Sequence, residues 1–191
     1  YGRESLRYLL LLLLPISAFI AATAPELLSL FYSSTYESAG KVLILLTISS
    51  AFLSVFSIFS SFVTGSGNPK KEMYWSLMLT VALAGLNLLL IPRYGMIGSA
   101  WASLITSFFA MLFAGRFVYR QFKLDFPWAS LARISVTAGL IFIFAHFWHY
   151  AGVALVINFL VLGIVYITLL YLFGEVGIKE LNVIRKVFQY R

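Results

Sequence analysis

The sequence predicts an all-α polytopic membrane protein, a bundle of about six transmembrane helices. Three observations predict it. Hydrophobic residues make up 61% of the 191 residues and charged residues 11%, against roughly 45–50% and about 25% in an ordinary globular domain. The few charges are segregated, leaving uncharged runs of about 18 residues or more, long enough as helices to cross a hydrocarbon core of roughly 30 Å. The basic residues, finally, are distributed with a strong bias across the alternating loops.

The first span is expected over residues 8–24, with an apolar tail running past Pro25-Glu26 to residue 32. Arg3 and Arg7 ahead of a leucine run, with Ala22-Thr23-Ala24 behind it, imitate a secretory signal. Pro25 just after the would-be cleavage site and the further spans downstream argue against that reading. The chain has no initiator Met and opens abruptly at a span, as a piece of a longer protein would. Residues 42–63 form the second span, ended by the turn cluster Gly65-Ser66-Gly67-Asn68-Pro69. The third covers 73–91 and is expected to stop at Pro92; the fourth covers 96–115. A basic loop leads to Pro127-Trp128, and the fifth and sixth spans cover 134–150 and 153–173. In the segment 175–191, Ile178, Leu181, Ile184 and Phe188 recur at helical spacing among charges. That pattern suits a basic amphipathic helix on the membrane surface, with a frayed polar tail as the alternative.

Six spans place both ends on one side. That side carries Arg3, Arg7, Lys70, Lys71, Arg116, Arg120, Lys123, Arg133, Lys179, Arg185, Lys186 and Arg191; the other carries Lys41 and Arg93. Cytoplasmic loops hold the excess of Lys and Arg, so both ends of this segment are expected in the cytoplasm and the chain in the cytoplasmic membrane. Tyr8, Tyr74, Trp75, Trp128, Trp148 and Tyr150 near span ends suit interfacial anchoring. The net charge of +7 therefore sets topology and does not imply nucleic acid, since no basic stripe with interleaved aromatics appears. Cysteine is absent, which excludes disulfides, thiolate chemistry and cysteine-based metal sites.

The acidic residues Glu4, Glu26, Glu37, Glu72, Asp125, Glu175 and Glu180 all fall in loops or at span ends. No span offers the carboxylate that an ion-coupled pump uses as a relay. No constellation suggests catalysis, and no cofactor is expected. His146 and His149, one turn apart, could bind a metal but lack a companion carboxylate or thiol, and polar caps on a span end account for them. The second span is more informative. Thr47, Ser50, Ser54, Ser57, Ser61 and Thr64 are spaced by three and four residues, which places all six hydroxyls on one stripe. Two readings stay open: a tight seam of small residues between helices, or the wall of a water-filled cavity that presents hydroxyls to a sugar or phosphate. Ser49 and Ser60 fall off the stripe. Asn87 is a polar group inside the third span that needs a partner, either another helix or a substrate. Gly95, Gly98, Ser99 and Ala102 at the start of the fourth span suit close helix packing.

The run from Asn87-Leu88-Leu89-Leu90-Ile91-Pro92-Arg93-Tyr94-Gly95 through Met96-Ile97-Gly98-Ser99-Ala100-Trp101-Ala102-Ser103 resembles the helix–turn–helix of polysaccharide and oligosaccharide-lipid (Wzx-like) flippases. These belong to the superfamily that also contains the MATE exporters. Pro25-Glu26-Leu27-Leu28-Ser29-Leu30-Phe31-Tyr32 with Tyr36 and Ala39 is similar to the family's first periplasmic turn, and residues 65–71 to its next cytoplasmic turn. Gly163-Ile164-Val165-Tyr166 with Lys179-Glu180-Leu181 is similar to its last span and tail. The resemblance implies one lobe, the C-terminal one, of a two-lobed MATE-like transporter that lacks its N-terminal lobe here. The intact protein would move a lipid-linked glycan across the membrane through a cavity that alternates its opening, with membrane lipids, the glycan and the missing lobe as partners. It fixes no substrate-binding residue. A MATE-type drug/cation antiporter and a non-transporting six-helix scaffold are the competing readings.

Overall fold

The computed structural model describes residues 2–32, 39–122, 128–147 and 153–172. The expected tail at 175–191, the end of the fifth span, the side chain of His146 and all of His149 lie outside the described residues. Within them the chain is a bundle of α-helices: α1 (Gly2–Ala22), α2 (Ala24–Phe31), α3 (Gly40–Gly65), α4 (Pro69–Tyr94), α5 (Met96–Phe122), α6 (Trp128–Phe147) and α7 (Val153–Leu172).

The first expected span is a broken one. α1 and α2 meet at Thr23 with a bend of 77°. The apolar tail is thus a helix of its own, turned off the axis of the first. Pro25 lies at the start of α2, where the missing N–H would have had no intrahelical acceptor. Thr23 stabilises the break by donating its hydroxyl to the Phe19 carbonyl at 2.9 Å. α2 then folds against the start of α3, where Gly40 lies close to the Pro25 ring.

Two further boundaries differ from expectation. α4 does not stop at Pro92 but continues to Tyr94 and ends at Gly95. In the last turn a proline forfeits only its bond to the carbonyl four residues back, so the turn survives. Gly95, with φ of 59°, provides the left-handed exit and returns its N–H to the Ile91 carbonyl at 2.8 Å. α5 runs on past residue 115 to Phe122, because Arg116 and Arg120 are good helix formers that continue it beyond the apolar stretch.

Three helices are long and apolar enough to cross a membrane, Gly40–Gly65, Pro69–Tyr94 and Met96–Gln121, and the bent pair Leu6–Ala22 with Ala24–Phe31 makes a fourth if counted as one span. α6 and α7 are 20 residues each, about 30 Å as helices. Ala132–Ala145 within α6 and Ile157–Tyr171 within α7 are apolar. The class is a helical membrane bundle.

α3 occupies the centre. It packs most extensively on α5 and also meets α1, α2 and α4, while α6 lies against α1. Leu6 and Leu10 of α1 share the core with Val55, Phe59 and Val63 of α3 and Val118 of α5. α4 hugs α5 from outside and contributes no buried residue. α7 runs antiparallel to α1: Phe159 meets Phe19 with ring centres 4.6 Å apart, and Tyr166 reaches the Leu11 carbonyl at 2.7 Å. The start of α1 and the end of α7 therefore lie at the same end of the bundle.

Candidate functional site on the outer face of α3

A helix advances 100° per residue, so α3 can bury one face and present another. Its buried face is formed by Gly40, Ser49, Val55, Phe59, Ser60 and Val63, with Thr47 at one margin. Ser50, Ser57, Ser61 and Thr64 are exposed and Ser54 is half-buried. Five of the six stripe hydroxyls thus lie on the side that no described helix covers, flanked by the exposed Leu46 and Leu53.

Hydroxyls facing outward are held by their own helix. Ser50 donates to the Thr47 carbonyl, Ser54 to that of Ser50 and Ser61 to that of Ser57, each at 2.8 Å; Thr47 donates to Leu43 at the same distance. Such back-bonding makes a hydroxyl tolerable in an apolar setting and leaves its oxygen lone pairs free to accept. The outer face of α3 is therefore a ladder of acceptors that can also rotate to donate, the chemistry that suits sugar hydroxyls and amides.

Inter-helix bonds come from the two serines off the stripe. Ser49 lies 3.2 Å from Ser107 of α5, both buried. Ser107 spends its proton on the Leu104 carbonyl at 3.0 Å, so Ser49 is the donor between them. Ser60 donates to Glu72 of α4 at 3.0 Å, and Ser76 donates to the same carboxylate oxygen at 2.8 Å. The tight seam weighed for the stripe thus falls on Ser49 and Ser60. Their spacing of eleven residues, close to three whole turns, is the signal that places them on one face.

Glu72 sits in the first turn of α4, where the helix dipole favours a carboxylate. Next to it the Lys71 ammonium lies 4.9 Å from the centre of the Phe117 ring, which also meets Trp75 edge-on at 5.1 Å. This cluster ties the α3–α4 turn to α5. Replacing Glu72 with Ala takes the acceptor from Ser60, a buried hydroxyl, and is expected to cost about 1–3 kcal/mol. Glu72→Gln keeps an acceptor oxygen and should cost distinctly less. Thermal unfolding of the two variants in detergent checks the order.

The remaining candidates separate. Asn87 of α4 is half-buried, and its Oδ1 is buried with no hydrogen-bond partner. It is not brought onto the α3 stripe. Gly98 is buried where α5 leaves the α4 turn, so close that an added Cβ would fall against the Leu90 carbonyl, 2.7 Å from its carbon. Ala102 is fully buried and Ser99 half-buried on the same helix. Gly95 serves the backbone turn, with nothing within 4 Å of the position of a Cβ. Among the described residues no group of three His, Asp or Glu is placed to hold a metal.

A bundle of long apolar helices with hydroxyls along one uncovered face defines a multi-pass helical membrane protein. The family model described as "Lipid II flippase MurJ" matches residues 2–182, and the chain belongs to that family. No curated protein and no solved structure matches it. Flippases of lipid-linked cargo are thus the right class; within it the match is to the lipid II family, whereas the turn motifs resemble the polysaccharide and oligosaccharide-lipid branch.

Proposed function

We propose that this chain is the C-terminal lobe of a flippase that carries lipid II or a related lipid-linked glycan across the cytoplasmic membrane by alternating access. The outer face of α3, from Ser50 to Thr64, is the lobe's share of the cavity wall. The observation that carries this reading is a contrast between two uncovered faces. α4 presents Met73, Leu77, Met78, Val81 and Leu88 outward, side chains suited to acyl chains. α3 presents Ser50, Ser57, Ser61 and Thr64 beside the exposed Leu46, Ile48 and Leu53. Lipid gives no reason to gather hydroxyls on one exposed stripe, while a water-filled cavity that must shelter a polar headgroup does.

In this reading α6 and α7 are the fifth and sixth spans, an N-terminal lobe closes the other side of the cavity, and the excess of Lys and Arg holds both ends of the segment in the cytoplasm. Ser50, Ser54 and Ser57 replaced together by Leu in the whole transporter should abolish translocation of the lipid-linked substrate without loss of membrane insertion. Translocation measured in proteoliposomes at the native rate would reduce the stripe to a lipid-facing surface.

A further inference from the structure

Pro15 stands inside α1. Having no N–H, it cannot bond the carbonyl four residues back, and its ring crowds that same carbonyl. The orphaned acceptor is Leu11. In the structure that carbonyl accepts a hydrogen bond from the Tyr166 hydroxyl of α7 at 2.7 Å, across 155 residues of chain. A side chain from another helix thus supplies the donor that proline withholds.

The surroundings single this contact out. α7 is attached sparsely, with buried positions Leu162, Tyr166 and Leu170 one turn apart, while Ile164 and Ile167 beside Tyr166 are largely exposed. Tyr166 itself is 5% exposed, and its bond to the half-buried Leu11 is part-buried. A proline is where a membrane helix bends, provided that neighbours satisfy the freed backbone.

We infer that Pro15 and Tyr166 form a latched hinge: α1 bends at Pro15, and the Tyr166–Leu11 bond from α7 holds it in the conformation seen here. The segment on the early side of the hinge carries Leu6 and Leu10, which pack in the same core as Phe59 and Val63 of α3. α1 is antiparallel to α3 through the intervening bend, so this segment flanks the end of α3 that carries Ser57, Ser61 and Thr64. Release of the latch changes the width of that end. The latch rests on the geometry alone; only its effect on substrate rests on the cavity reading.

The test reads the bend directly. The chain has no cysteine, so spin labels at E4C and I20C span the hinge, sixteen residues or about 24 Å of helix. In the whole protein in lipid vesicles, the native background should give one narrow distance distribution. Tyr166→Phe, which removes only the hydroxyl, should broaden it or add a second distance. Adding Pro15→Ala restores the missing N–H, so Pro15→Ala/Tyr166→Phe should return the narrow distribution. An unchanged distribution in Tyr166→Phe overturns the latch. A broad distribution in both variants also overturns it, since Tyr166 would then act through packing and not through the Leu11 carbonyl.

Discussion

Gly98→Val will prevent α4 and α5 from closing into their hairpin, with a loss of about 3 kcal/mol or more of stability. Overpacking a well-filled site usually costs about 1–3 kcal/mol, because side chains can shift to make room. Here the obstacle is main chain. A Cβ at position 98 meets the carbon of the Leu90 carbonyl at 2.7 Å and the Ile91 nitrogen at 3.2 Å. Moving them means moving the end of α4, whose exit is fixed by Gly95. Even Gly98→Ala brings the Cβ and should be markedly destabilising. Gly85→Ala is the control: nothing lies within 4 Å of a Cβ there, and alanine is the better helix former by about 1 kcal/mol. Thermal unfolding in detergent should separate Gly98→Ala from Gly85→Ala in opposite directions. Equal melting temperatures would refute the close approach.

Hydropathy and charge made the class and most of the helices legible, because in a bilayer each spanning segment must satisfy its own backbone and therefore announces itself by length and apolarity. The ends were legible only where backbone chemistry decided them alone. Pro69 begins α4 as a proline at a first turn does. Pro92 did not end it, because a proline in the last turn breaks one bond and Gly95 was the stronger terminator. The break at Thr23 lies two residues ahead of Pro25, whose place in the first turn of α2 is a local signature, but the 77° angle between the two helices has none. Asn87 shows the same limit from the other side. Its residue type demanded a partner, but only the structure shows an Oδ1 that is buried and unbonded.

The serines of α3 are where periodicity stopped short, and they give the second large prediction. A 3–4 spacing shows that hydroxyls share a face but not which way the face looks. Counted from the sequence, the stripe competed for both roles, seam and cavity, and Ser49 and Ser60 looked like strays. In the structure they are the ones in contact with α5 and α4. Ser49→Leu or Ser107→Leu therefore forces extra carbon into a site where the two residues are 3% and 1% exposed and breaks the bond between them, and should cost about 3 kcal/mol or more. Ser54→Leu and Ser57→Leu, on the outer face, should change stability by no more than about 0.5 kcal/mol. They should instead reduce translocation, because each replaces an acceptor in the proposed cavity wall with a surface that repels a hydrated headgroup. Melting in detergent and translocation in proteoliposomes must therefore rank the four variants in opposite orders. If Ser54→Leu melts as early as Ser107→Leu, the outer face is packed against another part of the transporter, and the serines there are a second seam.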